Sequence, residues 1–104
     1  MRIVFFGSSE FSLAALQACL NSRYGVELVV TTPDQKQGRG LKEVPTPVRL
    51  FCEKNRVPVE APARLSETAV FEIIKRIRPD VYVVSSYGKL IPHSWLELDR
   101  KSVV

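Results

Sequence analysis

No apolar run in these 104 residues approaches the roughly 18–20 needed to cross a bilayer as a helix, which excludes a membrane-spanning helix. Cysteine occurs twice, as Cys19 and Cys52, with no Cys-x-x-Cys pair. A Cys-x-x-Cys zinc site is excluded, and reduced thiols are favoured over a disulfide. The two cysteines fall in expected helices, so a reduced pair of buried thiols is the reading. Histidine occurs once, as His93 after Pro92, which excludes a His-rich metal site and leaves an exposed bystander as the better reading. The carboxylates of Asp34 and Asp80 have no partner at helical spacing, and Ser85 and Ser86 have no base nearby in sequence. Glycine is sparse where a dinucleotide would need it. In Gly7-Ser-Ser-Glu-Phe11, Ser9 and Ser12 stand where the nicotinamide fingerprint has glycines, and Glu10 would repel a phosphate. No Walker loop is present, and no repeat or low-complexity tract. These residues alone supply no complete catalytic set.

What is there is an ordinary globular composition, 45% hydrophobic and 25% charged, with a net charge of +4. The length suits one domain. The modest positive charge favours anionic partners without establishing a nucleic-acid role. The chain enters a strand at its start, leaving no expected targeting segment.

The pattern alternates strand and helix. Arg2 to Phe6, ending at Gly7, reads as a strand buried on both faces. Ser8 and Ser9 offer capping hydroxyls, Glu10 suits a helix start, and Leu13, Leu16 and Leu20 follow at helical spacing. Val26 to Thr31 is a second strand. Pro45 or Pro47 suits the start of a helix whose face carries Val48, Phe51, Cys52 and Asn55. Val57 to Val59 is a short third strand at a sheet edge, because Pro58 cannot donate to a ladder. Val70, Ile73, Ile74 and Ile77 form an apolar helical stripe, closed by Arg78-Pro79-Asp80. Val81 to Val84 is a fourth strand, Ser85 to Lys89 a turn, and Ile91 to Leu98 a short helix around Pro92, with Trp95 packing it down. The expected fold is α/β: a Rossmann-like open parallel sheet of order 3-2-1-4 with helices on both faces.

Between the second strand and its helix runs Thr32 to Val48, about sixteen residues with no pattern of their own, which is uncommon inside a compact domain. The segment carries Lys36, Arg39 and Lys42, with glycines flanking Arg39 and Pro45 and Pro47 as a rigid exit. It reads either as a basic reader of an anionic ligand or as a surface excursion. In open sheets of this kind ligands bind beyond the carboxyl ends of the strands, where the strand order reverses. Gly7, Ser8, Phe11, Tyr87, Gly88 and Leu90 are therefore expected to converge on one crevice. Phe11 and Tyr87 each keep a second reading, as a core residue under the helix start and as a sheet-end packing residue.

Several segments occur in an order that resembles one known family. They are Met1-Arg-Ile-Val-Phe-Phe-Gly-Ser-Ser-Glu-Phe11, Thr32-Pro-Asp34, Gly38-Arg-Gly-Leu-Lys42, Pro45-Thr-Pro-Val48, Val57-Pro-Val59 and Ser86-Tyr-Gly-Lys-Leu-Ile-Pro92. Together they resemble the N-terminal part of the folate-dependent formyltransferase domain of the methionyl-tRNA formyltransferases, over residues 1 to about 98. The Gly-Arg-Gly loop and Pro-x-Pro-Val are specific to that family, whereas Tyr-Gly-x-x-Ile-Pro is shared with other folate-dependent formyltransferases and hydrolases.

The resemblance implies formyl transfer from 10-formyltetrahydrofolate, without a metal, to the amine of methionyl-initiator tRNA, in a bacterial cytosol or organelle matrix. It implies substrate-binding roles for Phe11 (beside the aminoacyl group), Arg39 and Lys42 (on the tRNA acceptor arm), and Tyr87, Gly88, Leu90 and Ile91 (walling the pterin pocket). The family's Asn-x-His motif, its later Asp and its C-terminal tRNA-binding barrel are not in residues 1–104. The expectation is that these residues alone do not formylate methionyl-tRNA, which detectable formylation would refute. A bare sheet edge beside the fourth strand is expected as well, inviting a homodimer or swapped oligomer. The alternatives are a sugar formyltransferase or formyltetrahydrofolate hydrolase relative, and a non-catalytic folate- or RNA-binding remnant.

Overall fold

The computed structural model describes residues 2–33, 35–37, 42–63, 68–88, 91 and 102–103, with the backbone alone at 35–37, 42–43, 68 and 102–103. The elements are β1 (Arg2–Gly7), α1 (Glu10–Leu20), β2 (Gly25–Val30), β3 (Gln35–Gln37), β4 (Lys42–Val44), α2 (Pro47–Lys54), β5 (Val59–Glu60), α3 (Thr68–Ile77), β6 (Val81–Ser85) and β7 (Ser102–Val103). Five strands form one sheet in the order β5-β2-β1-β6-β7, and every neighbouring pair in it is parallel. The first four strands thus take the expected order 3-2-1-4, and β1 and β6 lie side by side with Phe6 opposite Val84 and Gly7 opposite Ser85.

The strands are apolar on both sides because both sides are covered, as parallel sheets with helical crossovers require. Val4, Phe6, Leu28, Val30 and Tyr82 point to one face, where Val70 and Ile74 of α3 meet them. Phe5 and Val29 point to the other, against Leu16 of α1 and Val48 and Cys52 of α2. Phe5, Phe6, Leu16, Ile74 and Tyr82 are fully buried, each contributing about 1.5–3 kcal/mol of apolar transfer. At the amino end of the sheet Asp80 fixes the register. Its carboxylate accepts the Arg2 N–H at 2.8 Å, and its own N–H donates to the Arg2 carbonyl at 2.8 Å.

Three expectations need correction. The Thr32 to Val48 linker has a pattern: β3 and β4 pair antiparallel as a hairpin, Gln35 opposite Val44 and Gln37 opposite Lys42. The third strand begins at Val59, because the Val57 N–H is spent on the Cys52 carbonyl (2.8 Å) in closing α2 and Pro58 has no N–H. The close of α3 at Ile77, before Arg78-Pro79-Asp80, is as expected, and Arg78 there takes a left-handed φ of 54°. The edge of β6 is not bare, since β7 pairs with it at Val81 and Tyr82. The dimer expected from that edge loses its physical basis at those two residues. The helix expected after Ile91, with His93 and Trp95, lies outside the described residues.

Candidate functional site

The strand order turns back between β1 and β6, so the carboxyl rim of the sheet is where a ligand crevice belongs. Three pieces build that rim: the β1–α1 turn at Gly7–Ser9, the turn Ser86–Gly88 after β6, and the segment from Thr31 through the β3–β4 hairpin to Thr46.

Gly7 lets the first two pieces close. A Cβ there would lie 2.7 Å from Phe5 Cε1 and 2.8 Å from Ser12 Cβ, so α1 can start against the strand only because Gly7 has none. The fully buried Ser12 uses that closeness to donate its hydroxyl to the Ser85 carbonyl at the end of β6. Ser9 is the N-cap of α1 by backbone, but its side chain makes no cap bond, and its hydroxyl lies 3.4 Å from that of Ser12.

Ser8 is the hub of the rim. Its N–H donates to the Ser86 carbonyl at 3.2 Å. Its Oγ accepts the Thr32 N–H at 3.0 Å and the Thr32 hydroxyl at 2.9 Å. The Thr31 hydroxyl stands 3.3 Å from the same oxygen, and the Ser8 hydroxyl donates to the Tyr87 carbonyl at 3.4 Å. Thr31 and Thr46 join their hydroxyls at 2.7 Å, and Thr46 Oγ1 caps α2 by accepting the Arg49 N–H at 3.1 Å. Thr31, Thr32 and Thr46 are all buried, so these hydroxyls are satisfied by one another rather than by solvent. A cleft of about 220 Å³ opens above them, lined by Ser8, Ser9, Thr32, Val44, Pro45, Thr46 and Pro47.

The expected site residues divide. Phe11 sits in the first turn of α1 and is 85% exposed, which sets aside its reading as a core residue. Tyr87 is 3% exposed, with its ring edge-on to Phe6 at 5.5 Å, so its side chain packs in the core and only its backbone faces the rim. Burial pushes its phenol up to about 12, and among the described residues its hydroxyl has no partner. Gly88 is exposed at φ 84°, with nothing within 4 Å of where a Cβ would stand. Ile91 is half-buried against the same core as Tyr87. The backbone of Lys42 lies in β4, while Arg39 and Leu90 lie outside the described residues. This cleft lies toward β2 and the hairpin exit, and among the described residues expected to converge (Gly7, Ser8, Phe11, Tyr87 and Gly88) Ser8 lines it. Sequence reasoning missed Thr31, Thr32 and Thr46. The available signal was three threonines bracketing a long insertion, two of them directly before proline.

An all-parallel open sheet with helices on both faces defines a domain of the Rossmann-like class. The formyl transferase family model matches residues 1–104, and the chain belongs to that family. Over 96% of its length it is 41% identical to the methionyl-tRNA formyltransferase of Thermotoga maritima. Over 94% it is 44% identical to that of Thermus thermophilus. In each case it spans 32% of the relative, about a third. Among solved structures the fold is shared with phosphoribosylglycinamide formyltransferase from Bacillus halodurans, at a TM-score of 0.67 and 18% identity, covering 99% of this chain and 54% of that one. The corresponding protein from Anaplasma phagocytophilum gives 0.63 and 14%, covering 99% and 47%.

Proposed function

We propose that the protein carries out the reaction named for its curated relatives, moving a formyl group from 10-formyltetrahydrofolate to the α-amine of methionyl-initiator tRNA. The observation that carries this reading is 41–44% identity to methionyl-tRNA formyltransferases along nearly the whole chain. In the reaction the amine attacks the formyl carbon, the bond from that carbon to the folate nitrogen breaks, and the proton shed by the amine is taken up at the nitrogen left behind. Metal chemistry is not required for such a transfer.

The roles of this chain's residues in that reaction are to bind and to orient. The backbone of Ser86–Gly88, with the Tyr87 side chain turned inward and Gly88 unobstructed, suits a planar pterin approaching main-chain groups, with Leu90 and Ile91 adding apolar wall. The exposed ring of Phe11 is the surface offered to the methionyl group. Lys42 and Arg39, in the sequence between the second strand and α2, supply cations for acceptor-arm phosphates, which give register and salt-sensitive affinity. Reduced folate and initiator tRNA meet in a bacterial cytosol or an organelle matrix, which is the setting proposed.

Binding of initiator methionyl-tRNA by the natural-length protein, titrated against salt, tests this reading. Affinity falls steeply with salt, and Arg39→Ala weakens binding about 10-fold or more and flattens the salt slope by about one unit. Equal binding by the variant at every salt concentration would remove the hairpin from the tRNA interface.

A further inference from the structure

The hydroxyl cluster under the rim has a consequence beyond the proposed reaction. Three rim pieces come from distant parts of the chain, and one side chain touches two of them. Ser8 Oγ holds Thr32, at the root of the hairpin, by two bonds of 2.9 and 3.0 Å, and donates to the Tyr87 carbonyl in the turn after β6 at 3.4 Å. Its own N–H is anchored on the Ser86 carbonyl at 3.2 Å.

The turn it holds is not a relaxed one. Ser86 sits at φ 51°, a left-handed conformation that costs a non-glycine residue about 1–2 kcal/mol and persists only where neighbours over-determine it. The Ser8 N–H and hydroxyl, on the two successive carbonyls of Ser86 and Tyr87, are such neighbours. On the other side the cluster reaches α2, since Thr31 bonds Thr46 at 2.7 Å and Thr46 caps the helix that leaves the hairpin. Both ends of the insertion are therefore tied to one hydroxyl set. A hydroxyl has one proton, so Arg49 N–H donating to Thr46, Thr46 to Thr31, Thr31 to Ser8 and Ser8 to Tyr87 is a consistent direction for the chain. The 3.3 Å Thr31–Ser8 approach is its weakest inner link, because Thr32 already supplies Ser8 with two closer donors.

We propose that Ser8 is a positioning residue that couples the root of the β3–β4 hairpin to the turn after β6, so that neither wall of the rim moves without the other. The coupling rests on these hydrogen bonds alone and holds whatever the rim binds.

Amide hydrogen exchange of the natural-length protein, read on peptides from the hairpin root (30–37), the turn (84–88) and α3 (71–77), tests it. Ser8→Ala speeds exchange in both rim peptides by about three- to ten-fold, the kinetic equivalent of one or two lost hydrogen bonds, and leaves α3 unchanged. Ser8→Thr, which keeps the hydroxyl, restores both rates. Thr32→Val keeps only the N–H bond to Ser8 and removes no group that touches the turn, yet it speeds exchange at 84–88, and adds little there once Ser8 is already alanine. Faster exchange in only one rim peptide, no rescue by threonine, or an unchanged turn in Thr32→Val would each overturn the coupling. If Ser8→Ala does not fold, Thr32→Val decides alone.

Discussion

Gly7 leaves its neighbours no room for a methyl group. With Phe5 and Ser12 both under 3 Å from the position of a Cβ, Gly7→Ala must push α1 off the end of β1, at a cost of about 1–3 kcal/mol in urea unfolding. Arg56 presents the reverse case. It follows the C-cap Asn55 at φ 57°, where the Val57 N–H closes the helix on the Cys52 carbonyl, a position suited to glycine. Arg56→Gly relieves the left-handed strain and is expected to stabilise the fold by roughly 0.5–1 kcal/mol, after allowing for the added freedom of the unfolded chain.

Tyr87 gives a pH signature. Its buried phenol holds its proton up to about 12 against an ordinary value of 10.0. Its stabilisation is whole below the unfolded value and is lost as pH climbs toward the folded one, because the unfolded chain sheds the proton first. Cys52, raised to about 11 by burial and then by the charge of Glu53, acts in the same direction from its ordinary 9.0. Tyr87→Phe removes only the first contribution. Chemical denaturation at pH 8 finds that variant as stable as the parent or slightly more so, since the hydroxyl has no partner among the described residues. Between pH 10 and 12 the variant loses less stability than the parent, and parallel losses would place the Tyr87 ring in contact with solvent.

Among the elements, the helices were the most legible from sequence. Leu16, Val70 and Ile74, singled out by spacing alone, are buried. The hairpin was not legible, because Gln35–Gln37 and Lys42–Val44 offer only one apolar residue between them, and period-2 reasoning needs a buried face to detect. Its pairing is carried by the backbone. The helix that follows was placed at Pro45 or Pro47 and begins at Pro47, but the residue that secures it is Thr46. Thr46→Ala loses the cap on Arg49 and the bond to Thr31 together, so the cost belongs near the upper end of the usual capping range, about 2 kcal/mol, readable by urea unfolding. Thr46→Ser keeps both bonds and most of the stability. A loss equal to that of alanine would mean that the methyl group, and not the hydroxyl, holds α2.

For the molecule as a whole, strand order was legible because four apolar runs separated by helices leave right-handed crossovers few alternatives. The cleft beside Thr32 and Thr46 was not, because there Thr31 and Thr46 share a hydroxyl bond while Thr32 bonds Ser8, contacts between residues far apart in sequence. No local pattern announces a cluster assembled from residues 8, 31, 32 and 46. The same arrangement puts the hairpin and the turn after β6 on one rim, and that placement is what the proposed reaction uses.

The most direct measurement is the transfer itself. The natural-length protein is given 10-formyltetrahydrofolate with either methionyl-initiator tRNA or phosphoribosylglycinamide as acceptor, and kcat/KM is compared. The tRNA is predicted to be formylated with a preference of at least about 1,000-fold, worth roughly 4 kcal/mol of transition-state binding. Formylation of phosphoribosylglycinamide in preference to the tRNA would contradict it.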